Sequence, residues 1–364
     1  MQFTFDEDQL LAAQALREVL DDHCTGADLR RAAEIKDATE LAEISQARRR
    51  SILELGLNGA LVPEALGGLG LKPVDVLLLA EEAGRAALPE PLIDTVAVAV
   101  PLLVELAQRD GRAEEALRSI VAGETIRILW PSSDVVHDLE DATYVLGSET
   151  DETLELKHRA DLRSESLVSV DPLRRLARPL WDSATPIASV SDSSIATLWS
   201  RARTRARVFD AAQLIGLASK MTALAVAYSL ERKQFGKAIG ANQAVKHQLA
   251  NVQVKIEFAR PVVYAAAAAL GATLSSPEAV ARRWVEARAH HAFVAACDAA
   301  DLAARTAIQV HGAMGYSWEL DLQFYAKRSW VLAGLHGGRS NSFATIHDSL
   351  LRMGIDIGPD RTFG

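Results

Sequence analysis

The sequence predicts a mainly α-helical protein with a small β domain set between two helical parts. Three observations carry that expectation. Apolar residues recur at three- and four-residue spacing before residue 125 and again after residue 194, as on the buried stripe of a helix. Between them, short β-branched segments alternate with Ser, Asp, Gly and Pro. The 364 residues are 49% hydrophobic and 24% charged, enough apolar material for two or three packed units.

In chain order, Asp6 to His23 carries Leu10, Leu11, Ala13, Leu16 and Leu20 behind a cap at Thr4 or Asp6. Asp37 to Leu57 repeats the pattern, and its run Arg48-Arg49-Arg50 is expected on a solvated face. Gly67, Gly68 and Gly70 precede a helix from about Pro73 to Gly84. A glycine turn before a helix can cradle a phosphate, but no Walker lysine follows and no strand pattern precedes, so a helix-to-helix loop is the simpler reading. "RILWPSS", "ATYVLGS", "TLELKHR", "SLVSVDP" and "PIASVSD" then predict four or five short strands in a small antiparallel sheet or partial barrel. Further on, Val245, Leu249, Val252, Ile256, Ala259 and Val263 mark a bundle seam that Pro261 is expected to kink or divide. Ser276, Pro277 and Glu278 form a helix start. That helix is expected to stop at His311, before Gly312. The domains expected are 1–125 helical, 126–194 a reduced β domain, and 195–364 a four-helix bundle whose seam is buried by oligomerisation.

Several functions are disfavoured. The net charge of −9 argues against nucleic-acid binding through a basic surface. Cys24 and Cys297 are too few for a disulfide framework or a zinc pair. His290, Cys297 and Asp301 share helical spacing without the close pairing of ligands, and no metal is expected. The start "MQFTFDEDQLL" lacks signal-peptide character, and no run of about 20 strongly apolar residues is present. A cytoplasmic location is expected. Trp284, Trp318 and Trp330 read as packing anchors.

Core packing does not ask for the cluster in "ERKQFGKAIGANQAVKHQLANV", between two apolar helical runs. This stretch, "AIQVHGAMGYSWELDLQFYAKRS" and "LVPEALGGLG" resemble segments of the acyl-CoA dehydrogenase family, and the order of the domains agrees. The resemblance implies FAD as cofactor and α,β-dehydrogenation of an acyl-CoA thioester. It implies that Arg232, Gln234, Phe235 and Gln243, with Gln309, Gly312 and Ala313, hold the pyrophosphate and adenine end of FAD across a subunit interface. Ala313 stands where the family commonly has Gly. The alternative is two capped helix ends with a solvated basic pair.

The family's catalytic Glu is not found. Its two positions fall on Ala206 and His336. His336 is a candidate base or a surface turn residue. Asp210, one helical turn beyond Ala206, is a second candidate, or a salt-bridge partner of Arg203, Arg205 or Arg207. The middle segment "WPSSDVVHDLEDATYVL" lacks the family's flavin-holding loop. This pattern resembles the smaller, base-lacking subunits of heteromeric, tetrameric acyl-CoA dehydrogenases of actinobacterial sterol side-chain and fatty-acyl breakdown. The function expected is the non-catalytic subunit completing a base-bearing paralogue's FAD site, with an electron-transfer acceptor downstream. The alternatives are a self-sufficient homotetrameric enzyme using Asp210 or His336, and a helical acyl-CoA-binding or scaffold protein.

Overall fold

A computed structural model describes residues 4–35, 38–273 and 279–352. The architecture is mainly α with a small β domain. Helix α1 (Glu7–His23) starts behind Asp6, whose carboxylate accepts from the Gln9 N–H at 2.8 Å while the Gln9 amide oxygen accepts from the Asp6 N–H at 2.9 Å. This reciprocal cap selects Asp6 over Thr4. A short helix not read from the periodicity, α2 (Gly26–Glu34), opens on a capping box between Thr25 and Asp28. On α3 (Ala38–Glu54) only Arg50 of the basic run is exposed as expected. Arg48 is 2% exposed and holds the Glu90 carboxylate with bonds of 2.5 and 2.6 Å, while Arg49 reaches Asp141 at 2.7 Å. Carboxylates distant in sequence neutralise Arg48 and Arg49.

The glycine turn is a packing device. A Cβ at Gly68 would lie 2.2 Å from the Val62 carbonyl oxygen, and the chain then enters α4 (Leu77–Arg85) through a 3-10 turn at Pro73–Val76. Three shorter helices follow, α5 (Leu92–Asp94), α6 (Val100–Ala107) and α7 (Glu114–Val121).

Seven strands occupy the middle: β1 (Ile126–Leu129), β2 (Val136–His137), β3 (Tyr144–Gly147), β4 (Thr153–His158), β5 (Ser164–Leu167), β6 (Leu176–Pro179) and β7 (Ala188–Ser191). They form two sheets, ordered β1-β3-β4-β7 and β2-β6-β5, rather than one. The expectation of antiparallel pairing fails for β1 and β3, which run parallel from Ile126↔Tyr144 to Leu129↔Gly147. The crossover that parallel pairing needs is the excursion through β2. Leu129, Val136, Val145, Leu162, Ala177 and Trp181 make the apolar core here.

The carboxy-terminal helices are α8 (Ile195–Glu231), α9 (Gln243–Thr273), α10 (Ala279–His311), α11 (Leu322–Gly334) and α12 (Gly338–His347), with the hairpin β8 (Lys233–Gln234) and β9 (Lys237–Ala238) after α8. By length and composition α8 could cross a membrane, yet 61% of its most apolar window is buried in the protein, as in a core helix. The helix start at Ser276 to Glu278 lies outside the described residues, and the stop at His311 is as expected. Pro261 does not divide α9, which continues through it. The seam needs no second subunit. Leu249, Val252, Ile256, Ala259 and Val263 are buried within the chain, and α10 packs along α9. The exposed apolar residues of α9 are instead Val254 and Phe258, on another face.

The chain divides into two compact units, one of Met1–Gln14, Leu77–Ala87 and Arg207–Gly364, the other of Ala15–Val76 and Leu88–Ala206. Helix α4 belongs with the first because it crosses α8 backbone to backbone. A Cβ at Gly216 would sit 1.9 Å from the Glu81 carbonyl oxygen, and one at Gly84 would sit 2.1 Å from that of Gln213. Glu81 also accepts from Arg260 at 2.8 Å and from the Tyr264 hydroxyl at 2.9 Å, and Phe5 packs edge-on against the Tyr264 ring. Gly216→Ala should therefore force α4 outward and destabilise the unit by about 1–3 kcal/mol. Urea unfolding of the variant would measure this, and an unchanged midpoint would contradict so close a crossing.

Candidate functional site

The α8 helix closes when the Arg232 N–H donates to the Tyr228 carbonyl at 2.9 Å. Strands β8 and β9 then pair Lys233 with Ala238 and Gln234 with Lys237. The two-residue turn between them is Phe235 at φ 51 and Gly236 at φ 79, both left-handed. Tight hairpins require this geometry and usually meet it with Asn-Gly. An aromatic residue there is strained, at a cost of roughly 1–3 kcal/mol. The Phe235 ring stands 98% exposed. A Cβ at Gly240 would lie 2.9 Å from both the carbonyl and the hydroxyl of Ser229, so glycine lets the hairpin base lie against α8.

The second segment ends α10. Gly312 takes φ 62, and no atom lies within 4 Å of where its Cβ would be. One residue earlier, the His311 ring stacks on Tyr228 at 4.4 Å between centroids and 30° between planes. Its Nδ1 is 2.8 Å from the Ala307 carbonyl oxygen. This contact joins the last turn of α8 to the end of α10. Arg232 follows Tyr228 by one turn, and Gln309 precedes His311 by two residues. Arg232, Gln234, Phe235, Gln243, Gln309, Gly312 and Ala313 are all exposed. A guanidinium fork, side-chain amides, an open aromatic face and an uncrowded glycine suit a phosphate-linked adenine, so the donor set fits the adenine-diphosphate half of FAD. Neither Tyr228 nor His311 was marked by the sequence, because nothing in local spacing pairs residues on different helices.

The two candidate bases are brought together. His336 Nε2 lies 2.9 Å from Asp210 Oδ2, with both side chains buried, and Gln213 Nε2 donates to Asp210 Oδ1 at 3.2 Å. The surface-turn reading of His336 fails on this burial. The corner between α11 and α12 holds its ring inward: His336 and Gly337 are left-handed at φ 54 and 81, and Gly338 follows at φ 67. Among the arginines proposed for Asp210, Arg203 instead pairs with Asp151 at 2.7 Å.

His290 on α10 is 1% exposed, and its Nδ1 has no hydrogen-bond partner. Burial, then the nearby charges of Arg207 and His336, pushes its pKa down from 6.5 to about 3. Below about pH 6.5 the unfolded chain takes up a proton that the folded chain refuses. Stability is therefore full above that pH and should fall by about 1.4 kcal/mol per pH unit as the pH drops toward the folded value. His290→Leu should remove this component, and equal acid slopes for both proteins in urea unfolding would contradict it. Burial also pushes the Cys297 thiol up to about 12, so it is inert. Asp301 pairs with Arg305 at 3.0 Å. Among the described residues, no three His, Cys, Asp or Glu side chains gather as a ligand set.

The tryptophans differ from expectation. Trp318 and Trp330 are exposed and, with Tyr316, line an open groove of about 340 Å³, where the Lys327 ammonium sits 3.8 Å over the Trp318 ring. Trp284 is half-buried with the Arg288 guanidinium 3.8 Å over its ring. The buried anchors are Trp181 and Trp199.

Comparison with known proteins bears on both halves of the chain. Residues 6–124 match the model of the acyl-CoA dehydrogenase N-terminal domain, and residues 198–349 that of the C-terminal domain. Acyl-CoA dehydrogenase IpdE2 of Mycobacterium tuberculosis is 32% identical over 276 residues, 76% of this chain and 77% of the relative. Butyryl-CoA dehydrogenase of Megasphaera elsdenii shares the fold at a TM-score of 0.79 and 19% identity, over 97% of this chain and 100% of that one. A chain of the ChsE4–ChsE5 complex of Mycobacterium tuberculosis does so at 0.75 and 17%, over 96% and 99%.

Proposed function

Because this chain belongs to the acyl-CoA dehydrogenase family, we propose that it is the subunit of a FAD-dependent acyl-CoA dehydrogenase that completes a partner's cofactor site and supplies no base. One contrast carries the reading. The cradle of Arg232, Gln234 and Phe235 beside Gln309 and Gly312 is exposed, while Asp210 and His336 are buried against each other. An exposed, strained aromatic on a basic hairpin is what a site completed by another molecule would keep. FAD, when bound, supplies the acceptor for the hydride leaving the acyl β-carbon. This chain's part is to hold the diphosphate with Arg232, offer the Phe235 face to the adenine and position both with the Gln309–Gly312 turn. The α-proton goes to a carboxylate on the partner, a base-bearing paralogue. A tetramer, a cytoplasmic location, a sterol-derived or fatty acyl-CoA substrate and an electron-transfer acceptor belong to the same proposal. It gains support from the shared fold with a chain of the ChsE4–ChsE5 complex and from the exposed apolar residues Leu230, Val254 and Phe258.

A second reading rests on one observation. A buried carboxylate bonded to an imidazole can fix its tautomer for general-base work, and the Asp210–His336 pair would then make the chain self-sufficient.

Arg232→Ala tests the first reading. Losing a charged hydrogen bond to phosphate costs about 1.5–3 kcal/mol, so FAD affinity of the assembled complex should fall about ten- to a hundredfold with the subunits still associated. Unchanged affinity would overturn the cradle.

A further inference from the structure

We propose that Tyr228 and His311 are positioning residues that lock the two halves of the cradle into one binding unit. The proposal rests on the FAD reading above and adds to it a cause for the cradle's geometry. The halves lie on different helices, and their binding side chains are exposed. The Tyr228–His311 stack at 4.4 Å and 30° links the last turn of α8 to the end of α10. The His311 ring is anchored within its own helix. His311 donates through Nδ1 to the Ala307 carbonyl, which fixes its ring plane and tautomer. The Tyr228 backbone carbonyl accepts from the Arg232 N–H, so Arg232 leaves α8 one turn beyond the residue that carries the stacked ring. On the other side, His311 abuts Gly312, whose left-handed turn sets where the following backbone N–H groups lie. Loss of the stack would free the two helix ends, and with them Arg232 and Gln309, to shift relative to each other, and a bidentate grip on a diphosphate tolerates little such error.

The test is FAD affinity of the full chain in its purified assembly, read by quenching of flavin fluorescence with thermal unfolding as a control. Tyr228→Leu, which removes the stack, should weaken FAD binding about three- to tenfold, the range that an aromatic pair supports. Tyr228→Phe, which keeps it, should stay within about twofold of wild type. The stack should also couple the two sides. In wild type the losses from Arg232→Ala and Gln309→Ala should not multiply, whereas in the Tyr228→Leu background they should. Should Tyr228→Leu fail to fold, His311→Ala against His311→Phe decides in the same way, with the larger loss expected for Ala. Normal affinity in the unstacked variants, alongside a clear loss in Arg232→Ala, would overturn the positioning role and leave the cradle standing. Normal affinity in Arg232→Ala would overturn both.

Discussion

Purified alone, the chain is expected to oxidise acyl-CoA, with an artificial electron acceptor, about a hundred- to ten-thousand-fold more slowly than its complex with a base-bearing paralogue. That is the range that a general base supplies. Abstraction needs a basic atom within hydrogen-bond reach of the α-proton. The two candidate bases are bonded to each other, Asp210 Oδ2 to His336 Nε2, and Asp210 Oδ1 accepts from Gln213. Ala206, at the first of the two family positions, has no basic atom. Steady-state turnover of the isolated chain and of the complex would measure the ratio. Comparable rates, abolished by Asp210→Asn, would show that the Asp–His pair is the base and that the chain works by itself.

His336→Leu is expected to destabilise the protein by about 3–5 kcal/mol, the usual consequence of taking one partner from a buried pair. The Asp210 carboxylate would keep its bond from Gln213 but lose the imidazole that faces it. Replacing both members should recover part of the loss, because neither partner is then left without the other, while Arg207, buried and 3.5 Å from the His336 carbonyl oxygen, stays charged. Urea denaturation of His336→Leu, Asp210→Leu and the double variant would test this. A double variant no more stable than His336→Leu would mean that the pair is not an isolated electrostatic unit. In the complex, Asp210→Asn is expected to leave turnover unchanged, since the base lies on the other chain.

The sequence made the fold largely legible where local chemistry decides it. The Asp6 cap, the β-branched segments of β1, β3, β4 and β7, and the stop at Gly312 are all written in neighbouring residues. Two strands escaped because pairing partners rather than composition make them. The β2 strand is two residues long, and β6 is "LARP", with an arginine and a proline, yet it holds the centre of its sheet. The Arg48 run reads as surface until Glu90 is placed against it. The same limit governs the site. Arg232 to Phe235 and Gln309 to Gly312 were identifiable as segments, but the Tyr228–His311 contact that joins them was not. Asp210 and His336 read from the sequence as rival bases, and the turn of three positive-φ residues that makes them partners leaves only "HGG" as a trace.

The flavin content of the purified protein tests the central claim most directly. With the full chain expressed alone and together with a base-bearing paralogue, flavin absorbance should be negligible in the first preparation. In the second it should be stoichiometric with the paralogue and lost on Arg232→Ala. Stoichiometric flavin in the chain expressed alone would contradict the claim that this chain completes a site whose flavin ring belongs to its partner.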